Sequence, residues 1–263
     1  MPSQKTARNK PTRQTHSLAS DLTNTPATGN IVSVLRIFAA IAAVALVIGC
    51  AKLPDGGGGG NTRRLHFIIT LDGPVNPNYV YIVAIRDAND DTGGGGGPIP
   101  VIQKPWGNGF VAGKATHFIR YDGFQGNGGY LLNRFTDLVN LLTWIPLGVP
   151  FDFVTPNPGD NRIEFTITLG QLRPPPGDPD AITGLQINLL TMDVVPNDPD
   201  YSGPKFWDAL GDSTDFNTIN DYLTINAQQD RIYRNSILQN EPRGDVADPS
   251  LDIVDWEIQV SSP

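Results

Sequence analysis

Residues 162–169 read RIEFTITL, and this stretch decides the fold class because its polarity alternates strictly. Every second side chain from Ile163 to Leu169 is apolar, and the positions between them are Glu or Thr. Successive side chains of a β-strand point to opposite faces, so a period of two predicts a strand with one buried face. Such half-buried strands are typical of antiparallel sheets that pack one face on a core.

Strand-like patterns also appear at both ends of the stretch from residue 65 to residue 260. Residues 251–260 alternate again, with Trp256 and Ile258 on the apolar face, and predict a strand that is integral to the sheet. Residues 65–71 (LHFIITL) and 79–86 (YVYIVAIR) flank an Asp-Gly-Pro turn and predict two neighbouring strands. The second is apolar at both alternating sets of positions, which indicates a central strand buried on both faces.

Further strand-like runs complete the predicted sheets. They are residues 116–121, 130–135, 141–145, 185–191 and 222–225, while residues 89–100 read as a loop. Leu131, Phe135, Leu138 and Leu142 also fit one face of a helix, so a helix is the alternative in that region. About nine short strands between Pro, Gly and Asp turns predict an all-β fold, a two-sheet antiparallel β-sandwich of jelly-roll type, over residues 62–263.

The segment before this domain is typical of an export signal. Residues 37–49 (IFAAIAAVALVIG) carry no charge, follow Arg36 and end at Cys50, which is the only cysteine. Thirteen apolar residues are short for a bilayer span, and an uncleaved anchor reaching back to Ile31 would place Arg36 in the membrane. We therefore predict a signal peptide over residues 1–49, and the transmembrane anchor is the alternative.

Residues 46–50 (LVIGC) resemble the lipobox of bacterial lipoproteins. The resemblance implies that Cys50 is lipidated, becomes the first mature residue and attaches the chain to the membrane of the bacterial cell envelope, facing the periplasm or the exterior. Residues 50–61, with five consecutive glycines, then read as a flexible tether. The polar stretch before Arg36 is longer than an export signal requires, so we expect translation to start at Val32 or Val34; the alternative is a basic extension removed with the signal.

Composition narrows the classes of function. After Cys50 there are 14 Lys and Arg against 26 Asp and Glu, which speaks against a nucleic-acid surface. The three histidines, His16, His66 and His117, are too few for a three-His zinc site once the first is removed with the signal. No catalytic residues stand out, and the expected domain is not an enzyme. A carboxylate-dependent glycoside hydrolase is the alternative, because acids are abundant.

Several stretches together resemble DOMON-like sandwiches and the family 9 carbohydrate-binding modules. They are YVYIVAIRDANDD (79–91), IEFTITLGQL (163–172), GLQINLLTMD (184–193), FWDALGD (206–212) and DYLTI (221–225). The resemblance implies a binding sandwich, with carbohydrate or a partner protein of the envelope as ligand. The haem-ligating Met and His pair and the paired tryptophans of such families have no counterpart here.

Two sets of residues are candidates for binding. Asp87, Asn89 and Asp91 alternate at a spacing that can point three oxygens at one Ca²⁺, and the simpler alternative is a solvated turn whose side chains cap backbone amides. The acidic clusters at residues 197–200 and 245–252 share that ambiguity. Trp106, Phe110 and Trp207 lie near turns and could stack on sugar rings or contact a protein; the alternative is that they cover the end of the sandwich core.

Overall fold

The computed structural model describes residues 62–89, 95–101, 108–124, 126–174, 176–196 and 201–263. Within these segments strands are the main regular secondary structure. They are β1 (Arg64–Leu71), β2 (Val80–Asp87), β3 (Pro98–Pro100), β4 (Val111–Gly113), β5 (His117–Tyr121), β6 (Tyr130–Phe135), β7 (Trp144–Gly148), β8 (Asp152–Val154), β9 (Arg162–Thr168), β10 (Gly184–Met192), β11 (Trp207–Ala209), β12 (Leu223–Asn226), β13 (Arg231–Arg234) and β14 (Ile253–Ser261).

The few helical segments are single turns between strands. They are Asn127–Gly129, Leu169–Leu172, Pro179–Ala181 and Asn235–Leu238. Leu169–Leu172 follows β9 because Thr168 and Gln171 form a capping box, in which each side chain bonds the other residue's backbone N–H. In the segments that the structure describes, no helix has the length and apolar character needed to cross a bilayer.

The strands form two stacked antiparallel sheets and one small hairpin. Sheet A has the order β13-β14-β1-β9-β8, and sheet B has the order β11-β10-β2-β5-β6-β7, with β12 also paired to β10. The hairpin pairs β3 with β4. The main core lies between the sheets and takes side chains from both. These observations confirm the predicted all-β, two-sheet antiparallel sandwich.

Sheet A shows why the alternating sequence was informative. Phe67 of β1 stands opposite Phe165 of β9 on one side and Ile258 of β14 on the other, and all three side chains are buried. The two phenyl rings stack with centroids 4.9 Å apart. The apolar face of RIEFTITL therefore points into the main core, and β14 is integral to the sheet, as predicted.

Sheet B is covered on both faces. Tyr81, Val83 and Ile85 of β2 point into the main core, whereas the residues between them pack into a second apolar cluster on the other face. That second cluster includes Phe110 and Phe118 and is covered by the loop and hairpin residues around β4. This arrangement confirms that β2 is central and explains why residues 80–85 are apolar on both faces of the strand.

The predicted pairing of the first two strands is wrong. β1 lies in sheet A between β14 and β9, whereas β2 lies in sheet B between β10 and β5. The turn between them therefore carries the chain from one sheet to the other. A turn sequence indicates a reversal of direction, and it does not specify which sheet receives the next strand.

The region with two alternatives folds as strands. β6 and β7 pair antiparallel, which excludes the helix, and the second strand begins at Trp144 and not at Leu141. β7 ends sheet B and contains Pro146, a residue that suits an edge strand because it cannot donate a ladder hydrogen bond. Five strands of three or four residues, β3, β4, β8, β11 and β13, were not predicted because they are too short to show a period.

Candidate functional site

A buried aspartate on the edge of sheet B organises the most unusual group of side chains. Asp208 is the middle residue of β11, pairs with Thr191 of β10 and is 0% exposed. Its Oδ2 accepts the N–H of Ile253, the first residue of β14, at 2.7 Å. Because β11 belongs to sheet B and β14 to sheet A, this carboxylate connects the two sheets at one end of the sandwich.

Three other acids surround Asp208. Glu241 and Asp245 come from the loop between Asn235–Leu238 and β14, and Asp252 immediately precedes β14. One carboxylate oxygen from each of Asp208, Asp245 and Asp252 lies within 4.8 Å of the other two. Glu241 is 5% exposed and Asp252 is 2% exposed. We refer to these four residues, Asp208, Glu241, Asp245 and Asp252, as the acid cluster.

Backbone N–H groups hold each carboxylate of the acid cluster in place. Ser213 donates its N–H to Asp245 Oδ2 at 2.7 Å and its hydroxyl to Asp208 Oδ1 at 2.6 Å. Gly244 donates to both oxygens of Asp252, at 3.2 and 3.0 Å. In each of these hydrogen bonds a carboxylate oxygen is the acceptor. Together the bonds orient the carboxylates toward a common centre.

Two oxygens of the acid cluster are buried with no hydrogen-bond partner. Glu241 Oε2 accepts the N–H of Gly211 at 3.3 Å, but Glu241 Oε1 bonds nothing. Asp245 Oδ1 is likewise buried and without a partner. Buried polar atoms in folded proteins are nearly always satisfied, so each such atom points to a missing partner.

The acid cluster also has no basic side chain to neutralise it in the part of the chain that the structure describes. Among the described residues, none of the Lys, Arg or His side chains lies within ion-pair distance of these four carboxylates. The nearby Arg243 instead pairs with Asp72, at 3.2 Å. Four neighbouring carboxyl groups in a buried site therefore require either protons or a bound cation.

The pKa values reflect this crowding of acids. Burial, followed by the charge of Asp245, raises the pKa of Asp208 to about 8. Burial, followed by the charges of Asp208 and Asp245, raises the pKa of Glu241 to about 11. The pKa of Asp252 is raised as well, chiefly by burial. Without a cation, the cluster holds protons at neutral pH.

The acid cluster does not have the geometry of a glycoside hydrolase pair. Hydrolysis of a sugar bond needs two carboxyl groups on either side of an open cleft that admits the substrate. Here the oxygens converge, and Asp208 has no exposed surface. The cluster therefore gives no support to the carboxylate-dependent hydrolase, which stays a prediction for other acid pairs.

The predicted calcium loop has other partners in the structure. Asp87 ends β2, and its Oδ2 accepts a hydrogen bond from Arg173 Nε at 2.7 Å within a largely buried ion pair. Asn89 Oδ1 accepts hydrogen bonds from the N–H and the hydroxyl of Thr183, both at 3.0 Å. Asp91 lies outside the described residues. The convergence of the three side chains on one ion stays a prediction, and the observed partners compete with it.

The structure separates the three aromatic candidates. Phe110 is buried in the second apolar cluster, where its ring contacts Phe118 at 5.0 Å and Trp144 at 5.7 Å. A buried ring offers no face to a ligand, so Phe110 follows the alternative in which the aromatic residue covers a core. Trp207 is half-buried against the same cluster. Trp106 lies outside the described residues.

The remaining predicted positions are Cys50 and the two acidic clusters. Cys50 and the acidic cluster at residues 197–200 lie outside the described residues. The cluster at residues 245–252 supplies two members of the acid cluster, Asp245 and Asp252. Asp208 and Glu241 were not predicted. One signal for Asp208 is visible in the sequence, because it lies between Trp207 and the apolar pair Ala209-Leu210, where burial of a charge is unfavourable.

Comparison with protein-family models, with curated proteins and with solved structures finds no match for this chain. The resemblances to the lipobox and to DOMON-like or family 9 carbohydrate-binding sandwiches therefore stay predictions. The function has to be inferred from the residues themselves.

Proposed function

We propose that this chain is a lipid-anchored lipoprotein of the bacterial cell envelope whose β-sandwich binds a partner protein. The anchor is supported by one observation above all, the position of the only cysteine. Cys50 directly follows thirteen uncharged residues, and the first strand among the described residues begins at Arg64. A lipid on Cys50 would thus be separated from the sandwich by the glycine-rich stretch.

Replacement of Cys50 tests the anchor. Cys50→Ala is expected to abolish incorporation of a palmitate analogue and to release the chain from the membrane fraction, because the thiol is the acceptor of the lipid. Leu53→Ala, which changes a neighbouring apolar residue, should leave labelling and fractionation unchanged. Palmitate labelling that persists in Cys50→Ala would show that the lipid is attached to another residue.

A surface near the end strands of both sheets supports the binding role. Residues 139–154 run through β7 and β8, which are the end strands of sheets B and A. Exposed apolar side chains are concentrated there, at Val139, Leu142, Trp144, Ile145, Phe151 and Val154. Contiguous exposed apolar patches are typical of interaction sites, and these six exposed residues lie close together in sequence. We call these six residues the edge surface.

The composition of the edge surface favours a protein over a carbohydrate. Sugars stack on aromatic rings, but four of the six residues are aliphatic, and aliphatic side chains are common in protein interfaces. Trp144 is held edge-on by Phe110 and Phe118, with ring centroids 5.7 and 5.5 Å away. Its exposed part is therefore rigid, as is expected of an interface anchor.

Two equally exposed positions give a matched test of the edge surface. Val139 is 85% exposed and Phe216, which lies away from β7 and β8 in sequence, is 83% exposed. A photo-crosslinking residue at position 139 is expected to capture a defined envelope protein that the same residue at position 216 does not. Val139→Asp should then weaken binding of that purified protein at least tenfold, and Phe216→Asp should not. Binding to a glycan array that Trp144→Ala abolishes would favour carbohydrate instead.

A further inference from the structure

The acid cluster presents a chemical requirement that the described residues do not meet. Its four carboxylates are drawn from β11, from the loop before β14 and from the residue preceding β14. Side chains that repel one another would separate unless something positive lay between them. Their backbone hydrogen bonds instead hold them together, with oxygens of three of them within 4.8 Å of one another.

This spacing matches the size of one coordination sphere. Oxygens bound to a single Ca²⁺ at about 2.3–2.6 Å can be at most about 5 Å apart. The backbone N–H bonds from Ser213 and Gly244 then have the role of the outer contacts that orient metal-binding carboxylates. The three oxygens thus lie where ligands of one ion would lie.

An independent observation points to a ligand at the same place. Glu241 is 95% buried by surface area, one oxygen is held by Gly211, and the other oxygen has no partner. Glu241 is bound to the backbone of Gly211, three residues after Asp208, and the charges of Asp208 and Asp245 contribute to its raised pKa. A metal ion bound by the three aspartates would give a partner to the unpartnered Oδ1 of Asp245, and the unpartnered oxygen of Glu241 is a further acceptor from the same loop.

We propose that the acid cluster is a calcium site that fastens sheet B to sheet A at this end of the sandwich. The donors are all oxygens, which suit hard cations such as Ca²⁺ and Mg²⁺ and not the softer transition metals. Ca²⁺ accepts six to eight oxygens in irregular geometry, whereas Mg²⁺ demands an octahedron and keeps several waters. Carboxylates fixed by the backbone in a buried position favour Ca²⁺. The proposal does not depend on the lipid anchor or on the edge surface.

The experiment uses the full-length chain purified in detergent, stripped with EDTA and then titrated with CaCl₂ or MgCl₂ while thermal unfolding is followed by tryptophan fluorescence. Calcium at a hundredfold excess over its dissociation constant is expected to raise the unfolding midpoint by about 5–10 °C. Magnesium should need at least a tenfold higher concentration for the same shift. Isothermal titration calorimetry should give one calcium ion per chain.

Two variants remove ligands with little risk to folding. Glu241→Gln and Asp245→Asn each replace a carboxylate whose second oxygen has no hydrogen-bond partner, so the new NH₂ group can take that position and donate to the neighbouring acids. Each is expected to keep or raise the midpoint in EDTA and to weaken calcium binding at least tenfold. Asp255→Asn, which changes an exposed acid in β14, is the matched control and should behave as the wild type.

Three outcomes would overturn the proposal. Equal midpoints of the wild type in calcium and in EDTA would show that protons alone neutralise the cluster. An undiminished calcium response in both Glu241→Gln and Asp245→Asn would place the ion elsewhere, and its loss in Asp91→Asn would assign it to the loop after β2. Equal responses to magnesium and calcium would contradict the choice of ion.

Discussion

Two buried aspartates of sheet B differ in how their charge is compensated. Asp87, at the end of β2, is 6% exposed and forms an ion pair with Arg173, whose side chain is 25% exposed. Asp208, in β11, has no exposed surface and lies among other acids. The first carboxylate has a guanidinium supplied by the chain. The second has only neighbours of its own sign among the described residues.

The difference shows that burial alone does not identify a binding site. The charge of an aspartate beside an arginine is compensated within the chain, and its low exposure is explained by the fold. An aspartate beside three acids is incomplete, because each added carboxylate makes the burial of the others less favourable. The second case therefore points outside the chain, to a proton or a metal ion.

Removal of the arginine should have the largest effect on stability. Arg173→Ala would leave Asp87 buried without its partner and is expected to lower the free energy of unfolding by about 3 kcal/mol, equally in calcium and in EDTA. Urea denaturation at neutral pH measures this loss. Arg173→Lys, which keeps the charge, should lose less, and a loss below about 1 kcal/mol in Arg173→Ala would mean that the pair behaves as a surface salt bridge.

Unlike the ion pair of Asp87 and Arg173, the acid cluster should affect stability in a way that depends on pH and on calcium. Without a cation, the pKa of Asp208 is about 8 in the folded chain, above its value in the unfolded chain, and the pKa of Glu241 is raised in the same sense. Between about pH 4 and pH 8 the folded state then binds more protons than the unfolded state, so stability falls as pH rises.

We expect a loss on the order of 2 kcal/mol between pH 5 and pH 8 in EDTA, and a much smaller loss in calcium, which competes with protons for the carboxylates. Denaturation curves at both pH values, with and without calcium, measure the difference. Glu241→Gln should flatten the slope in EDTA because one titrating group is gone. Identical slopes with and without calcium in the wild type would contradict the expectation.

A glycine beside the cluster gives the smallest predicted effect. Gly244 has a φ of 82°, in the left-handed region, and its N–H bonds both oxygens of Asp252. Gly244→Ala has space for its methyl group, yet it should lower the free energy of unfolding by about 1 kcal/mol through backbone strain. Gly126→Ala, at a φ of −58° with open space, should be neutral. Equal effects of the two changes would show that strain at Gly244 is unimportant.

The sequence predicts the sheets where strands are long enough to show a period. The stretch RIEFTITL contains β9, and the stretch around Trp256 contains β14. Both were predicted correctly because seven or more alternating residues leave little ambiguity. The stretch Trp207–Ala209 is only three residues long, so neither β11 nor its pairing with the predicted strand β10 could be inferred. The pairing of β1 was also missed, since a strand sequence carries no record of its neighbours.

The candidate site was only half predicted for the same reason. Asp245 and Asp252 belong to an acidic run that is visible in the sequence, but their meeting with Asp208 depends on β14 lying in one sheet and β11 in the other. The loop after β2 was the stronger pattern, and its first acid is bound to Arg173. Local spacing thus ranked the loop above the cluster, which only tertiary structure assembles.

The register of sheet A has a consequence for the time at which this chain can fold. β1 pairs along its whole length with β14, so that Arg64 stands opposite Ser261. A ribosome makes these two segments at nearly the greatest interval that the domain allows, so β1 lacks one of its two sheet neighbours until β14 emerges. Half-made chains therefore leave one edge of β1 unpaired. The export proposed above would benefit from this delay, since a chain that has not yet closed can still be threaded through a membrane.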